Sequence, residues 1–154
     1  MLSQATGYAA SAMGHIAAAG GKPVLVKEIA DAAGIPPAFL AKIVQSLARK
    51  GLVATQRGVG GGVTLSREPS QITLFEICEA LNDPSVESRC MLGVSACSDD
   101  RACPCHTFWT AHRSEYHQFL HKTTIADIAA FETRRRWRFE SESRSKARTP
   151  DDRD

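Results

Sequence analysis

The chain has 154 residues, of which 43% are hydrophobic and 23% charged, and its formal net charge is +2. These proportions are typical of a globular protein and provide enough apolar residues for one compact domain with a hydrophobic core. No apolar run approaches the length needed to cross a bilayer, which excludes a membrane-spanning protein. The small net charge favours no particular class of binding partner.

The first third of the chain predicts three helices. Apolar residues recur at helical spacing over residues 5–18. A short second helix over residues 26–33 is closed by Gly34, and a third extends over residues 38–50. Pro37 suits the first turn of the third helix, where its missing N–H costs nothing. Two short helices joined by a tight turn and preceded by another helix indicate a helix-turn-helix.

A glycine-rich hairpin follows the third helix directly. Residues 52–56 and 63–65 predict two strands, and residues 57–62, Arg-Gly-Val-Gly-Gly-Gly, connect them. A hairpin at this position is typical of the wing of a winged helix-turn-helix. With a fourth helix over residues 72–81, we interpret residues 1–81 as a winged helix-turn-helix DNA-binding domain.

The second half of the chain predicts a loop and two helices. Residues 82–106 contain four of the five cysteines among Asn, Asp, Pro, Ser and Gly, so we expect an irregular cysteine-rich, cluster-binding segment. We expect a dimerisation helix and a final helix over residues 107–140, the latter capped by Thr124, and a disordered tail over residues 141–154. The predicted fold class is therefore mainly α with a small β-hairpin wing and a long C-terminal dimerisation helix.

The predicted dimerisation helix, residues 107–121, carries more apolar side chains than a small domain can cover, which favours a homodimer. Its exposed apolar side chains are expected to be Phe108, Tyr116 and Phe119. We interpret its three histidines, His112, His117 and His121, as solvent-facing or dimer-contact residues.

Candidate DNA contacts lie at two places. The N-terminal end of the second helix of a helix-turn-helix faces base edges, and Lys42 is the long polar donor there, although it could equally be a solvated lysine. In the wing, Arg57 could enter a narrow minor groove, and glycines allow the positive φ and close approach that phosphate contact needs. The candidate DNA-binding residues are Pro37, Ala38, Phe39, Lys42, Gln56, Arg57, Gly58, Gly60 and Gly61.

Four cysteines within sixteen residues, followed at once by a histidine, indicate a metal or redox site. The start of the chain lacks the features of a secretory signal, so we expect a cytoplasmic protein, where structural disulfides are disfavoured. The spacing Cys-x6-Cys-x5-Cys lacks the paired Cys-x2-Cys of structural zinc sites and favours an iron–sulfur cluster over zinc. Cys78 lies on an apolar helix face, which favours packing. The candidate ligands are Cys90, Cys97, Cys103, Cys105 and His106.

Over roughly residues 1–135 the sequence resembles the Rrf family of winged-helix regulators, whose branches include IscR-, NsrR- and CymR-like proteins. This resemblance implies a homodimer that binds a palindromic operator and holds a cluster through three cysteines of a loop beside the dimer helix. It rests on Gly7-Tyr8-Ala9, Ile29-Ala30, Phe39-Leu40, Gly51-Leu52-Val53, Arg57-Gly58-Val59-Gly60-Gly61-Gly62, Cys90, Cys97, Cys103-Pro104, His106 and Trp109.

The resemblance leaves the fourth ligand open. In the IscR-like branch a histidine three residues after the third cysteine completes a 2Fe–2S site, and His106 fits that place. In the NsrR-like branch an acidic residue of the partner's first helix does so, but the matching residue here is Gly7, which cannot ligate. Cys105 stands where the family usually has an apolar residue and could be a fourth thiolate, a ligand that exchanges with His106, or neither.

The sequence thus predicts a DNA-binding transcriptional regulator, not an enzyme, whose operator binding depends on an iron–sulfur cluster that senses redox state, iron or nitric oxide. One alternative keeps the regulator but replaces the cluster with zinc or a thiol/disulfide switch. A thiol-disulfide enzyme using Cys103-Pro104-Cys105 is a poorer alternative, because the chain lacks the Cys-x-x-Cys and βαβ context. A module that binds only protein is compatible with the small net charge.

Overall fold

The computed structural model describes residues 1–87, 89–92 and 95–135. Within these ranges, none of the helices has the length and apolar character required to cross a bilayer. The elements follow in the order α1 (Gln4–Ala18), α2 (Val26–Ala33), α3 (Pro37–Arg49), β1 (Val53–Gln56), β2 (Gly62–Leu65), α4 (Leu74–Ala80) and α5 (His106–Lys122), and α6 is helical from residue 125 to residue 135, the last one described.

Local side-chain chemistry determines where several helices begin. The hydroxyl of Ser3 accepts a hydrogen bond from the backbone N–H of Thr6 and caps α1. Pro37 is the first residue of α3, as its fixed φ and missing N–H favour. Before α6, the side chains of Thr124 and Asp127 each accept from the other's backbone N–H, so the predicted cap of the final helix is confirmed.

The hydrophobic core lies where α1 packs against α2, α3 and α4. Met13 of α1 is fully buried together with Ile29, Leu40 and Ile77 from the three other helices. Each such side chain stabilises the fold by about 1.5–3 kcal/mol relative to an exposed one. Cys78 is also fully buried, as its helical spacing predicts.

The wing is a two-stranded antiparallel sheet in which Val53 pairs with Leu65 and Gln56 with Gly62. An isolated bridge between Val24 and Val63 attaches it to the segment before α2. Val63 is buried, so one face of the hairpin belongs to the core while the connecting turn projects from the domain.

The predicted fold class is confirmed, but the cysteine-rich segment is more ordered than expected. It contains two short 3-10 turns, Pro84–Val86 and Asp99–Arg101, and an antiparallel bridge between Arg89 and Ala96. Helix α5 also begins one residue earlier than predicted, which places His106 inside its first turn. The predicted tail over residues 141–154 lies outside the described residues, as do residues 136–140.

The expectation for the side chains of α5 was partly wrong. His121 is exposed, as expected, but its ring also stacks on Phe75 of α4 with centroids 3.8 Å apart, and half-buried His117 contacts the same ring edge-on. Tyr116 is half-buried against the core, whereas Phe108 and Phe119 are exposed as predicted. Two of the three histidines therefore hold α5 against its own domain, a contact that one-dimensional helical spacing cannot reveal.

Candidate DNA-binding surface and cysteine-rich site

The N-terminal half of α3 presents an exposed face. Pro37, Ala38 and Lys42 are exposed, while Leu40 of the same turn is fully buried. Phe39 remains 38% exposed and contacts the ring of Tyr8 in α1 edge-on, with centroids 5.8 Å apart. Helix α1 therefore supports the end of α3 that a helix-turn-helix directs toward DNA.

The wing turn exposes four of the five candidate residues in it, Gln56, Arg57, Gly58 and Gly60. Gly58 and Gly60 have φ values of 90° and 75°, which glycine adopts without strain. Within the described chain Arg57 makes no ion pair, so its guanidinium is available for a phosphate or a groove.

Gly61 differs from the other candidates in the wing. It is buried, its N–H donates to the carbonyl of Gly58 at 3.0 Å, and a Cβ there would overlap the carbonyl oxygen of Gln56. Because Gly61 is buried, it does not belong to the exposed surface of the wing turn. Its role is to close the turn that presents Arg57.

A short hairpin assembles the first part of the cysteine-rich segment. Arg89 and Ala96 form an antiparallel bridge, and the N–H of Cys90 donates to the carbonyl of Ser95 at 2.9 Å. The indole N–H of Trp109 in α5 donates to the carbonyl of Arg89, also at 2.9 Å. This hairpin brings the first two cysteines of the segment close together and attaches them to α5.

Four of the five predicted ligands lie together as two pairs. The sulfurs of Cys90 and Cys103 are 4.0 Å apart, and the sulfur of Cys97 is 3.2 Å from Nδ1 of His106. Two thiolates on one tetrahedral metal are about 3.8 Å apart, and a thiolate and an imidazole nitrogen about 3.6 Å, given ordinary bond lengths. The Cys90–Cys103 separation is therefore close to that of two thiolates on one metal ion, whereas Cys97 and His106 are at hydrogen-bonding distance, about 0.4 Å closer than two ligands of one metal ion.

The fifth predicted ligand, Cys105, is not part of this arrangement. It is the residue before α5, and within the described chain its thiol makes no hydrogen bond or ion pair. His106, one residue later, directs its ring toward Cys97 because the helix begins there.

The ring of His106 is oriented by a carboxylate that sequence reasoning missed. Nε2 of His106 lies 2.8 Å from Oδ1 of Asp99, and the imidazole is only 12% exposed. A carboxylate at one ring nitrogen fixes the tautomer and directs the other nitrogen toward a ligand or metal. No spacing rule links these two residues, because their contact depends on the 3-10 turn Asp99–Arg101, in which Asp99 is the first residue.

A cavity of about 250 Å³ opens beside the pairs, lined among others by Cys90, Cys97, Cys103 and Arg101. Partial burial raises the pKa of the Cys97 thiol, and the neighbouring Cys90 thiol raises it further, whereas the Arg113 guanidinium lowers it. In the described part of the chain, no three His, Cys, Asp or Glu side chains converge on a point where they could hold one metal ion.

The segment that precedes the predicted ligands is anchored by Asp83, another residue that sequence reasoning missed. Its buried carboxylate accepts hydrogen bonds from the N–H groups of Ser3 and Ser85 and from the hydroxyl of Thr6. Burial on its own would raise the pKa of Asp83, but hydrogen bonds from Ser85, Thr6 and Ser3 hold that pKa well below its usual range. The carboxylate thus connects the start of α1 to the cysteine-rich segment.

A helix-turn-helix with an exposed second helix, followed by a hairpin that exposes an arginine, defines a winged helix-turn-helix protein, here with a cysteine-rich site beside a long helix. Residues 2–130 match the family described as "Rrf2: Iron-dependent Transcriptional regulator". The chain belongs to this family of transcriptional regulators.

Individual relatives agree with this assignment. The chain is 32% identical to the HTH-type transcriptional regulator IscR of Sodalis glossinidius over 126 residues, which cover 81% of this chain and 76% of that one. Among solved structures it resembles CymR, the global cysteine regulator of B. subtilis, with a TM-score of 0.72 at 27% identity over 85% of this chain and 97% of that one. It also resembles T. potens IscR, with a TM-score of 0.64 at 26% identity over 83% and 85% of the two chains.

Proposed function

We propose that this transcriptional regulator binds its operator under the control of an iron–sulfur cluster of the 2Fe–2S type, held by Cys90, Cys97, Cys103 and His106. The observation that carries the proposal is the arrangement of these four side chains as two pairs, with sulfur–sulfur and sulfur–nitrogen distances of 4.0 and 3.2 Å. In a two-iron cluster each iron takes two protein ligands, so two pairs fit it better than they fit a single zinc ion. The family's description as iron-dependent supports the same choice.

Each protein residue has a definable task at this site. Cys90, Cys97 and Cys103 would supply thiolates and His106 its Nδ1, while Asp99 orients the imidazole through Nε2. When bound, the cluster would supply one-electron redox chemistry and sensitivity to oxidants or nitric oxide.

On the DNA side, we infer that the exposed face of α3 enters the major groove and that the wing contacts the backbone or minor groove. Lys42 and the residues around it face solvent at the end of α3 that a helix-turn-helix directs to base edges. Arg57 projects from the wing with no ion-pair partner in the described chain, so it can neutralise phosphate charge or occupy a narrow groove.

We infer that the active form is a homodimer assembled through α5. Phe108 and Phe119 of this helix are 64% and 54% exposed, an apolar surface that a second copy of the helix would cover. A two-fold operator needs two recognition helices about one DNA turn apart, which a symmetric dimer supplies.

Side-chain packing and hydrogen bonds connect the proposed cluster site to the proposed DNA-binding surface. Asp83 links the segment before Cys90 to the start of α1, and Tyr8 of α1 supports Phe39 at the end of α3. Cluster assembly would draw the four ligand side chains onto the two irons, and the path through Asp83, α1 and Tyr8 would carry the resulting change to α3.

The proposed cluster is tested by anaerobic purification, with iron, sulfide and the visible spectrum measured on the wild-type protein and on two cysteine variants. We expect a brown wild-type protein, a colourless Cys97→Ser variant and an unchanged Cys78→Ala variant, because Cys78 is buried in the core away from the two pairs. A colourless wild-type protein with stoichiometric zinc would refute the iron–sulfur proposal and leave the DNA-binding one intact.

The proposed DNA surface is tested by a gel-shift salt titration on promoter DNA. Arg57→Ala should weaken binding and reduce the slope of log K against log salt by about one, whereas Arg134→Ala, an exposed arginine of α6, should not. Equal affinities for both variants and the wild type would refute the assignment of the wing.

A thiol switch is the second candidate, favoured by the 4.0 Å separation of the Cys90 and Cys103 sulfurs in the thiol form. A two-electron oxidant such as a peroxide would join them as a disulfide, taking up the two electrons and two thiol protons, once the sulfurs approach each other by about 2 Å. Mass spectrometry of the oxidised, iron-free protein would detect this disulfide. Operator binding that follows the disulfide while the purified protein contains no iron would favour this candidate over the cluster.

A further inference from the structure

One charged side chain near the ligands has no role in the arrangement described so far. Arg113 lies on α5 seven residues after His106, about two helical turns, and therefore on the same face of the helix. The residue is half-buried, and its Nη1 atom is buried with no hydrogen-bond partner in the described chain. No ion pair among the described residues includes it.

A partly buried guanidinium without a partner is unfavourable, because arginine remains protonated in proteins and its N–H donors need acceptors. Natural folds retain such a group where an anion satisfies it. In the segment packed against α5, the thiol of Cys97 lies within electrostatic range of Arg113.

We propose that Arg113 is the cationic partner of the cluster, a positioning residue whose guanidinium donates toward the thiolate and sulfide sulfurs and offsets their negative charge. The inference rests on the proposed function, because it takes the cluster as the anion. Two ferric ions, two sulfides, three thiolates and a neutral imidazole leave one net negative charge, and one-electron reduction by a low-potential donor adds a second. Reduction of the cluster needs no proton transfer to or from Arg113, because the guanidinium is cationic both before and after reduction.

A fixed positive charge stabilises the reduced cluster, which carries one more negative charge than the oxidised cluster. Arg113 therefore raises the reduction potential of the cluster. We expect Arg113→Gln to lower the equilibrium constant for reduction at least tenfold, which is about 59 mV for a one-electron couple. Arg113→Lys, which keeps the charge, should retain most of the wild-type potential.

The test is a dithionite titration of the anaerobic, cluster-loaded protein with redox mediators, followed by visible absorbance. The matched control is Arg101→Gln, because this exposed arginine lines the cavity beside the cysteines but is screened by solvent. The shift caused by Arg113→Gln should persist at high salt, and any shift caused by Arg101→Gln should be smaller and fade.

An unchanged potential in Arg113→Gln, or an equal shift in Arg101→Gln, would overturn the inference. If Arg113→Gln assembles no cluster, circular dichroism and sedimentation test its fold. Cluster loss in a folded Arg113→Gln with retention in Arg113→Lys would support the charge role. Loss of the cluster, the fold or the dimer in both variants would assign Arg113 to packing or assembly and overturn it.

These outcomes are distinct from failure of the proposed function. A wild-type protein without iron and sulfide refutes the cluster itself. A brown wild-type protein with unchanged variant potentials refutes only the role of Arg113.

Discussion

Replacing Asp83 by asparagine tests how much the buried carboxylate contributes to the fold. Oδ1 accepts from the N–H of Ser85, and Oδ2 accepts from the N–H of Ser3 and the hydroxyl of Thr6. Asparagine has the same shape but only one side-chain oxygen, so its NH₂ group must face donors on one side. Either the Ser85 N–H or the Ser3 N–H then loses its acceptor.

The expected cost follows from these contacts. One buried donor left without a partner costs about 1–3 kcal/mol. Removing the negative charge from the N-terminus of α1 adds about 0.3–1 kcal/mol through the helix dipole. We therefore expect Asp83→Asn to lower the free energy of unfolding by about 1.3–4 kcal/mol, which for a chain of this size lowers Tm by roughly 3–16 °C.

The measurement is urea denaturation of the metal-free protein at pH 7, with Asp100→Asn, an exposed aspartate, as the matched control. The control should change the free energy of unfolding by less than about 0.5 kcal/mol. If the two variants unfold at the same urea concentration, the hydrogen-bond accounting for Asp83 is wrong.

The same variant also tests how the free energy of unfolding depends on pH. The folded protein holds the pKa of Asp83 below its unfolded value, so the carboxylate stabilises the fold at pH values above the unfolded pKa, about 3.9. This stabilisation is lost as pH falls through the folded pKa. The difference in free energy of unfolding between wild type and Asp83→Asn should stay constant from pH 7 to about pH 5 and shrink below that. A difference that stays constant to pH 3 would contradict the assigned pKa.

Three further tests concern the wing, the proposed ligands and the proposed dimer. Gly61→Ala should lower the free energy of unfolding by about 1–3 kcal/mol in urea, because its Cβ would overlap backbone, whereas Gly7→Ala, with open space around the Cβ, should raise it by about 0.4–1 kcal/mol. His106→Ala should lose the visible absorbance of the anaerobic protein while Cys105→Ala keeps it, and the reverse result would indicate an all-cysteine site. Phe119→Asp should shift the sedimentation coefficient from dimer to monomer, and an unchanged coefficient would exclude this face of α5 from the interface.

The sequence determined the fold class because its signals are local. Helical spacing over residues 5–18 and 26–33, a proline at the start of the third helix and glycines in the wing turn each depend on neighbours a few residues away. The burial of Cys78 and the cap formed by Thr124 followed from the same short-range logic. Four clustered cysteines and a histidine likewise identified the candidate site before its geometry was known.

The tertiary structure decided which of those side chains meet. The sequence left the choice between Cys105 and His106 open, but α5 begins at His106 and leaves Cys105 outside the two pairs. The contact of Asp99 with His106 depends on a 3-10 turn, and that of Asp83 with Ser3 joins residues eighty positions apart. Such contacts form between residues that are far apart in the sequence and meet only when the helices pack together. The periodicity of apolar residues reflects neighbours a few positions away, so it does not predict these contacts.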